Sequence, residues 1–253
     1  MRIAVLVYDL NGIGGIAKHA LHLSHGFYNA GHQVDVWSVE YNKGQCYPEL
    51  TEGLTIRSLR SADDFIKRNS RKRLPGFSML SYLWDIGKYY REQQQLCSSM
   101  PNGYDVINPH GNIVNWAAVM YKHRYGASVV WMCNDFVPIA SHRYEKAANI
   151  GERIKLFAKK ILCTPFTSFD EAAVRAIDRI AVLSDLVKSQ MTDHYGVKPV
   201  VVRTGVNTSR FVGGDGYQTR KRYNVNGESF LLLTVCVLMP RRRIEDVIQA
   251  VRV

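Results

Sequence analysis

Three glycines near the N-terminus are spaced for close contact with a bound ligand. Gly12, Gly14 and Gly15 follow the apolar run Ile3–Tyr8, and a helical pattern begins at Gly15. Glycine has no Cβ and lets a ligand approach the backbone, and the first turn of a helix favours negative charge. The stretch therefore predicts a ligand-binding turn, and it leaves open which ligand binds there.

One interpretation of the glycines is a dinucleotide site. The spacing Gly12-x-Gly14-x-x-Ala17 follows a strand and opens a helix, and Glu40 ends the second strand where an acidic residue would bind a ribose. A single match of this kind is weak evidence. An oxidoreductase domain that binds nicotinamide nucleotide is therefore kept as an alternative.

Polar or small residues also follow the later strands. Ligands of parallel sheets bind beyond the carboxyl ends of the strands, so these positions are candidate site residues. The carboxylate of Asp135 could polarise a hydroxyl group, although a helix-capping role for Asn134 and Asp135 fits equally well. Ser184 most simply caps its helix. The candidates are His110, Asn134, Asp135, Ser184, Gly205 and Asn207.

Strand-like and helix-like segments alternate along the chain, which predicts an α/β fold: a doubly wound, mostly parallel, Rossmann-like sheet. The predicted strands are Ile3–Tyr8, Val34–Val39, Leu54–Leu59, Asp105–Asn108, Val129–Met132, Arg179–Leu183 and Val200–Arg203. The predicted helices are Gly15–Ala30, Ser78–Ser98, Ile113–Tyr125, Arg153–Leu162, Ser168–Ala176 and Asp185–Tyr195.

The net charge of +11 points to anionic partners. The densest basic segment is Lys67–Arg73, which is interpreted either as a solvated loop or as a contact with an anionic membrane surface. No nucleic-acid-reading motif accompanies it, so nucleic acid is not an expected partner.

Five cysteines, an odd number with no C-x-x-C pair, indicate a reducing compartment and no zinc knuckle. His19, His22 and His25 recur every third residue without a supporting carboxylate or cysteine, so we interpret them as a polar helix face and predict no metal site.

No apolar run reaches the ~18 residues that a membrane span requires, and the N-terminus is interpreted as a core strand. A cytoplasmic protein is expected, with an alternative of peripheral attachment to the inner face of the membrane.

Several stretches, in order, resemble one enzyme family. "GIGGIAKHALHLSHGFYNAGHQVDVWS", "DVINPHG", "AVLSDLVKSQM", "VVVRTGVNTSRF" and "LTVCVLMPRRRIEDVIQAV" are similar to segments of the retaining, GT-B-type glycosyltransferases of family four. The resemblance covers nearly the whole chain. It implies transfer of a sugar from a nucleotide-sugar, of UDP or GDP type, to an acceptor hydroxyl with retention. It implies no cofactor, and the absence of a D-x-D pair fits a metal-independent site.

The resemblance also implies roles for particular residues. Gly14 and Gly15 would approach the donor phosphates or the acceptor, and His110 would hydrogen-bond the transferred sugar or the acceptor. Arg242, with Arg243 beside it, stands at the family's phosphate-binding lysine. Val237 stands where the family has an arginine, which is a departure from the pattern.

The implied organisation has three parts. Residues 1–207 form a Rossmann-like acceptor-side domain, 208–228 an inter-domain linker, and 229–253 the first strand–helix unit of a donor-side domain, with a strand at Phe230–Val235. The family's nucleotide pocket and E-x7-E motif are not present in this chain. We therefore expect a truncated enzyme that is weakly active or inactive alone.

The expected acceptor is a glycan or a lipid-linked molecule, as in the synthesis of cell-envelope polysaccharide. A second alternative class is a non-catalytic module that binds an acceptor or a membrane, and Lys67–Arg73 supports it.

Overall fold

The computed structural model describes residues 1–12, 14–60, 78–136, 150–236 and 242–251. The chain divides into two compact units, Met1–Thr204 and Gly205–Val253. The first unit contains the sheet, and the second contains short helices and extended segments.

One parallel sheet of seven strands forms the centre of the first unit, in the spatial order β3-β2-β1-β4-β5-β6-β7. The order reverses between β1 and β4, so the carboxyl ends of these two strands form the switch point at which such sheets bind ligands. The strands are β1 Arg2–Leu10, β2 Gln33–Tyr41, β3 Thr55–Arg60, β4 Val106–His110, β5 Ser128–Cys133, β6 Arg179–Val182 and β7 Val200–Val201.

Helices cover both faces of the sheet. Alternate residues of β1 enter two different cores: Val5 packs with residues of α1, and Leu6 packs with residues of the later helices. This explains why β1 is apolar at consecutive positions, since a strand covered on both faces has no solvent side. The helices of this unit are α1 Gly15–Asn29, α2 Pro48–Thr51, α3 Ser78–Ser99, α4 Val114–Tyr125, α5 Ile150–Arg175 and α6 Asp185–Tyr195.

A buried polar cluster joins three of these helices. The carboxylate of Asp170 in α5 accepts hydrogen bonds from Nε1 of Trp116 in α4 at 2.8 Å and from the hydroxyl of Tyr195 in α6 at 2.7 Å. Burial raises the pKa of Asp170, although the two hydrogen bonds act to lower it. The cluster is a satisfied polar contact inside the larger core.

The predicted doubly wound α/β fold is confirmed. The two helices predicted at Arg153–Leu162 and Ser168–Ala176 are instead one helix, α5, with Pro165 inside it. Proline removes one helical hydrogen bond and disfavours a helix interior. Here Cys163 and Val174 are buried on either side of Pro165, and their packing keeps the helix continuous.

The second unit corrects the predicted strand at Phe230–Val235. These residues have no regular secondary structure, and Phe230 is 93% exposed. A strand needs a neighbour for its backbone hydrogen bonds, and no described segment pairs with this one. The predicted linker is partly helical, because it contains a 3-10 turn at Thr208–Phe211 and α7 at Gly216–Arg222; α8 follows at Ile244–Ala250.

Three further observations concern the chain as a whole. In the described part of the chain, every helix is too short or too polar to cross a membrane. All five cysteines are free thiols, and four of them are buried. The basic segment Lys67–Arg73, together with Val237 and Arg241, lies outside the described residues.

Replacing Tyr195 by phenylalanine should lower the free energy of unfolding by roughly 1–3 kcal/mol, because the buried Asp170 carboxylate loses one of its two donors. Urea unfolding followed by circular dichroism measures the change. Tyr28→Phe, which removes an exposed hydroxyl in α1, is the control and should stay within about 0.5 kcal/mol of wild type. Equal stability of the two variants would contradict the assigned role of Asp170.

Candidate active site

The glycine loop and His110 meet at the switch point of the sheet. Val7 of β1 pairs in register with His110, the last residue of β4, and Gly14 and Gly15 follow β1 within a few residues. Asn134 follows β5, which pairs with β4. The fold therefore brings the predicted residues Gly14, Gly15, His110 and Asn134 to one edge of the sheet.

The glycine loop is open in front. Gly14 is the N-cap of α1, with φ −137° and no side-chain cap. A Cβ built on Gly12, Gly14 or Gly15 would meet no other atom of the described residues within 4 Å, and none of the three has a positive φ. Backbone conformation therefore does not require glycine here. The glycines instead give a ligand access to the N–H groups of the first turn. These N–H groups have no carbonyl acceptor within the helix.

His110 is fixed in one tautomer by its neighbours. Its ring is 1% exposed, and Nε2 lies 2.9 Å from Oδ1 of Asn108. The Asn108 amide nitrogen donates to the carbonyl of Val130 at 2.6 Å, so its oxygen faces His110 and accepts. Nε2 of His110 therefore carries the proton, and Nδ1 is left with a lone pair. Within the described residues, Nδ1 has no hydrogen-bond partner.

A second acceptor lies beside His110. The Asn134 amide nitrogen donates to Nδ1 of His19 at 2.8 Å, which leaves its buried Oδ1 without a partner in the described part of the chain. The rings of His19 and His110 are 5.3 Å apart in an edge-to-face arrangement. With the Asn134 amide nitrogen directed at His19, the site thus presents two acceptors, Nδ1 of His110 and Oδ1 of Asn134, that have no partner among the described residues.

Burial keeps both imidazoles neutral. Burial, followed by the charge of His19, lowers the pKa of His110 to about 3, and the side-chain interaction with Asn134 acts to raise it. Burial and the charge of His22 lower the pKa of His19. His110 is therefore a hydrogen-bonding group at neutral pH, and not a cation.

Sequence reasoning missed two members of this cluster, and it assigned His19 to a polar surface. His19 lies one helical turn after Gly15, a spacing that places both on one face of α1. Asn108 lies two residues before His110 in β4, so their side chains share a face of the sheet. Both spacings were available in the sequence.

Glu40, the proposed ribose ligand of the dinucleotide alternative, belongs to the protein's own ion-pair network. Its carboxylate accepts from the Asn11 side chain at 2.9 Å and from Arg60 at 2.7 Å. A ribose would have to displace these partners. The geometry therefore gives the dinucleotide interpretation no support from Glu40.

Asp135 and Ser184 have local structural contacts. Asp135 is exposed, and its backbone carbonyl accepts from the Asn112 amide at 2.9 Å. Ser184 is the N-cap of α6, where its hydroxyl accepts from the N–H of Val187 at 3.2 Å, which confirms the capping interpretation. Any contact of either residue with a substrate remains a prediction.

The remaining candidates lie in the second unit. Asn207 caps the 3-10 turn, and its Oδ1 accepts from Ser209. Gly205 is exposed. Arg242 is also exposed, and Arg243 pairs with Asp246 at 2.5 Å. Their roles in phosphate binding or in the cleft stay predictions.

No group of three or more histidine, cysteine, aspartate or glutamate side chains that could hold a metal ion occurs in residues 1–12, 14–60, 78–136, 150–236 and 242–251. The predicted metal independence still requires a direct test.

The chain belongs to Glycosyltransferase Family 4, whose model matches residues 13–210. It is 23% identical over 241 residues to the D-inositol 3-phosphate glycosyltransferase of Geodermatophilus obscurus, and the match covers 94% of this chain and 49% of that protein. The chain thus spans about half the length of the curated relative it matches. Family membership confirms the resemblance drawn from the ordered motifs.

Two solved structures share the fold. The sucrose-phosphate synthase of Thermosynechococcus elongatus is 13% identical, with a TM-score of 0.53 over 90% of this chain and 53% of that one. Anabaena HepE in complex with UDP and glucose is 12% identical, with a TM-score of 0.50 over 88% of this chain and 50% of that one. At these identities the likeness concerns the fold alone.

Replacing His110 by asparagine should flatten the acid side of the stability profile. The folded-state pKa of about 3 lies below the unfolded value of about 6.5, so the unfolded chain binds a proton that the folded chain refuses. Stability is therefore lost as pH falls through this window, by up to ~1.36 kcal/mol per pH unit. Urea unfolding between pH 7 and pH 4 measures the slope. An unchanged slope in His110→Asn would contradict a buried, neutral His110.

Proposed function

We propose that the protein transfers a sugar from a nucleotide-sugar to an acceptor hydroxyl, with retention of anomeric configuration. The proposal is carried by two acceptors next to the glycine loop, Nδ1 of His110 and Oδ1 of Asn134, that have no partner within the described part of the chain. A buried polar atom without a partner is costly, so a ligand that donates there is favoured. Sugars present several hydroxyl donors on adjacent carbons, which matches two adjacent acceptors.

In this proposal the neutral imidazole of His110 orients the transferred sugar. Its Nδ1 accepts a hydrogen bond from a sugar hydroxyl, and Asn108 holds the ring in the required tautomer. Asn134 accepts from a second hydroxyl while its amide nitrogen remains bound to His19. Positioning of this kind fixes the anomeric carbon relative to the leaving group without a charged side chain.

The leaving group in this reaction is a nucleoside diphosphate, on which negative charge grows as the glycosidic bond breaks. The N–H groups of the first turn of α1, exposed by Gly14 and Gly15, favour negative charge without a metal ion. We propose the same role for Arg242 and Arg243, which precede α8. Asp135 is proposed as an acceptor contact.

The names of similar proteins support the substrate classes. The Geodermatophilus relative is named for transfer to D-inositol 3-phosphate, and the Anabaena structure is described as a complex with UDP and glucose. A nucleotide-sugar donor and a hydroxyl-bearing acceptor follow for this chain by analogy.

We also propose a cytoplasmic setting and a glycan or lipid-linked acceptor. Five free thiols are consistent with a reducing compartment. Attachment to an anionic membrane surface through Lys67–Arg73 is a separate proposal, and sedimentation with vesicles that contain or lack anionic lipid tests it.

Saturation-transfer NMR with UDP- and GDP-sugars should detect binding through the sugar protons. Asn134→Ala should lower the affinity about tenfold, because a hydroxyl donor loses its acceptor. Asn102→Ala, on the exposed surface, is the control and should bind as wild type does. Where transfer to an acceptor occurs, the new linkage should keep the donor's anomeric configuration in the product spectrum. An inverted product, or binding of a nucleotide-sugar that is as tight in Asn134→Ala as in wild type, would contradict the proposal.

Gly14→Ala should leave the stability nearly unchanged and weaken binding of the nucleotide-sugar, because the added methyl group occupies the open space in front of α1. Gly53→Ala is the contrasting variant: its φ of +77° should make alanine destabilising by roughly 1 kcal/mol, with binding retained. Thermal unfolding and the same NMR assay separate the two effects. Normal binding by Gly14→Ala would remove the loop from the site.

A further inference from the structure

A cavity lies on the same edge of the sheet as the glycine loop, two strands from β1. Its volume is about 240 Å³, and one strand end and one helix line it. We name it the α3 pocket; its lining residues are Arg60, Trp84, Lys88, Arg91, Glu92 and Gln95. Arg60, the last residue of β3, pairs in register with Glu40 of β2, which pairs with Asp9 of β1. Two strand spacings, about 10 Å, therefore separate Arg60 from the strand that leads into the glycine loop.

The lining of the α3 pocket is positively charged. Three cations, Arg60, Lys88 and Arg91, face one carboxylate, Glu92. Nζ of Lys88 lies 3.6 Å from that carboxylate. Arg91 has no carboxylate partner in the described part of the chain, and its guanidinium lies 5.7 Å from the ring centroid of Trp84. Among the described residues, Arg60 and Lys88 are thus paired with carboxylates, and Arg91 adds a positive charge to the pocket lining without such a partner.

One wall of the pocket is rigid. Arg60 is held by Glu40 at 2.7 Å and by Glu92, and Glu92 also accepts from the hydroxyl of Tyr8 at 2.7 Å. Burial and the Glu92 carboxylate raise the pKa of Tyr8, so the hydroxyl stays protonated and donates. Burial acts to lower the pKa of Arg60, but its contacts with Glu92 and Glu40 raise it. Groups held in this way need little reorganisation when a ligand binds.

Trp84 gives the pocket an aromatic face. Its side chain is 68% exposed and lines the pocket next to Arg91. A large amphipathic ring suits a ligand that has an apolar face and polar edges. A sugar ring has this character, with C–H bonds on its faces and hydroxyls around its rim.

The volume of the α3 pocket limits the ligands that it can hold. Sites for drug-sized ligands measure roughly 300–1,000 Å³, and the α3 pocket is smaller. It suits one charged group on one sugar ring, and it is too small for a whole nucleotide-sugar. It is therefore distinct from a donor site.

We propose that the α3 pocket binds the anionic group, a phosphate or a carboxylate, of a saccharide acceptor. Arg91 and Lys88 contact the anion, Arg60 holds the wall in place, and Trp84 packs against the sugar ring. The inference rests on the proposed sugar transfer and deepens it, because it assigns a charge to the acceptor and a location for that charge.

Isothermal titration calorimetry on the whole chain, with glucose 6-phosphate, glucuronate, glucose and inorganic phosphate as probes, tests the proposal. We expect glucose 6-phosphate or glucuronate to bind at least tenfold more tightly than glucose, with an affinity that falls as salt is added. The probe that binds more tightly identifies the anion as phosphate or carboxylate.

Variants locate the binding. Arg91→Ala and Lys88→Ala should each weaken the better probe about tenfold, because a charge-assisted hydrogen bond is lost. Trp84→Ala should weaken the sugar-bearing probe and leave inorganic phosphate unaffected. Arg124→Ala is the matched control: Arg124 is also an exposed arginine over an aromatic ring, 5.2 Å from the centroid of Tyr125, but it does not line the pocket. It should bind as wild type does.

The proposal would be overturned if neither anionic sugar bound, or if glucose or inorganic phosphate bound as tightly as both anionic sugars. It would also be overturned if Arg91→Ala and Arg124→Ala lost the same affinity for the better probe. None of these outcomes bears on the His110 site, because nucleotide-sugar binding there is measured with different probes and with Asn134→Ala. The two proposals can therefore fail separately.

Discussion

The strand order of the sheet reverses between β1 and β4, and the position of the candidate active site depends on that reversal. Connections on either side of the switch point leave in opposite directions, so a crevice remains above the two strand ends. The glycine loop enters this crevice from β1, and His110 enters it from β4. A rigid parallel sheet, buried on both faces, keeps these groups in register.

Burial of His110 determines the hydrogen-bonding character of the crevice, because it keeps the imidazole neutral. A histidine with an ordinary pKa would exchange protons near neutral pH, but His110 is enclosed and stays neutral. Asn108 then decides which nitrogen faces the crevice. The result is a pair of acceptors to which no described residue donates, a combination that fits hydroxyl groups better than phosphates. The N–H groups of the α1 N-terminus match phosphates better. The edge of the sheet thus carries two kinds of binding group, and the cationic α3 pocket is a third kind.

The alternation of strand-like and helix-like segments sufficed to predict the sheet, because it is typical of parallel strands joined by helices. The predictions from sequence were wrong or incomplete where tertiary packing determines the structure. Two helices were predicted at Arg153–Leu162 and Ser168–Ala176, but α5 is continuous through Pro165, with buried residues on both sides of it. Phe230–Val235 has the composition of a strand, but strand formation requires a partner. In the site, His110 and Asn134 were predicted from their positions after strands. His19 was missed although its spacing from Gly15 places both on one face of α1, and its contact with Asn134, 115 positions away, could not be seen from spacing.

The most direct measurement is the ¹⁵N chemical shift of His110 Nδ1 while a nucleotide-sugar is titrated into the labelled chain. The account predicts the shift of an unprotonated nitrogen in the free protein, and a saturable change at Nδ1 as a sugar hydroxyl donates to it, with Nε2 remaining protonated. A binding curve seen at other residues with no change at His110 Nδ1, or a protonated Nδ1 in the free protein at neutral pH, would contradict the account.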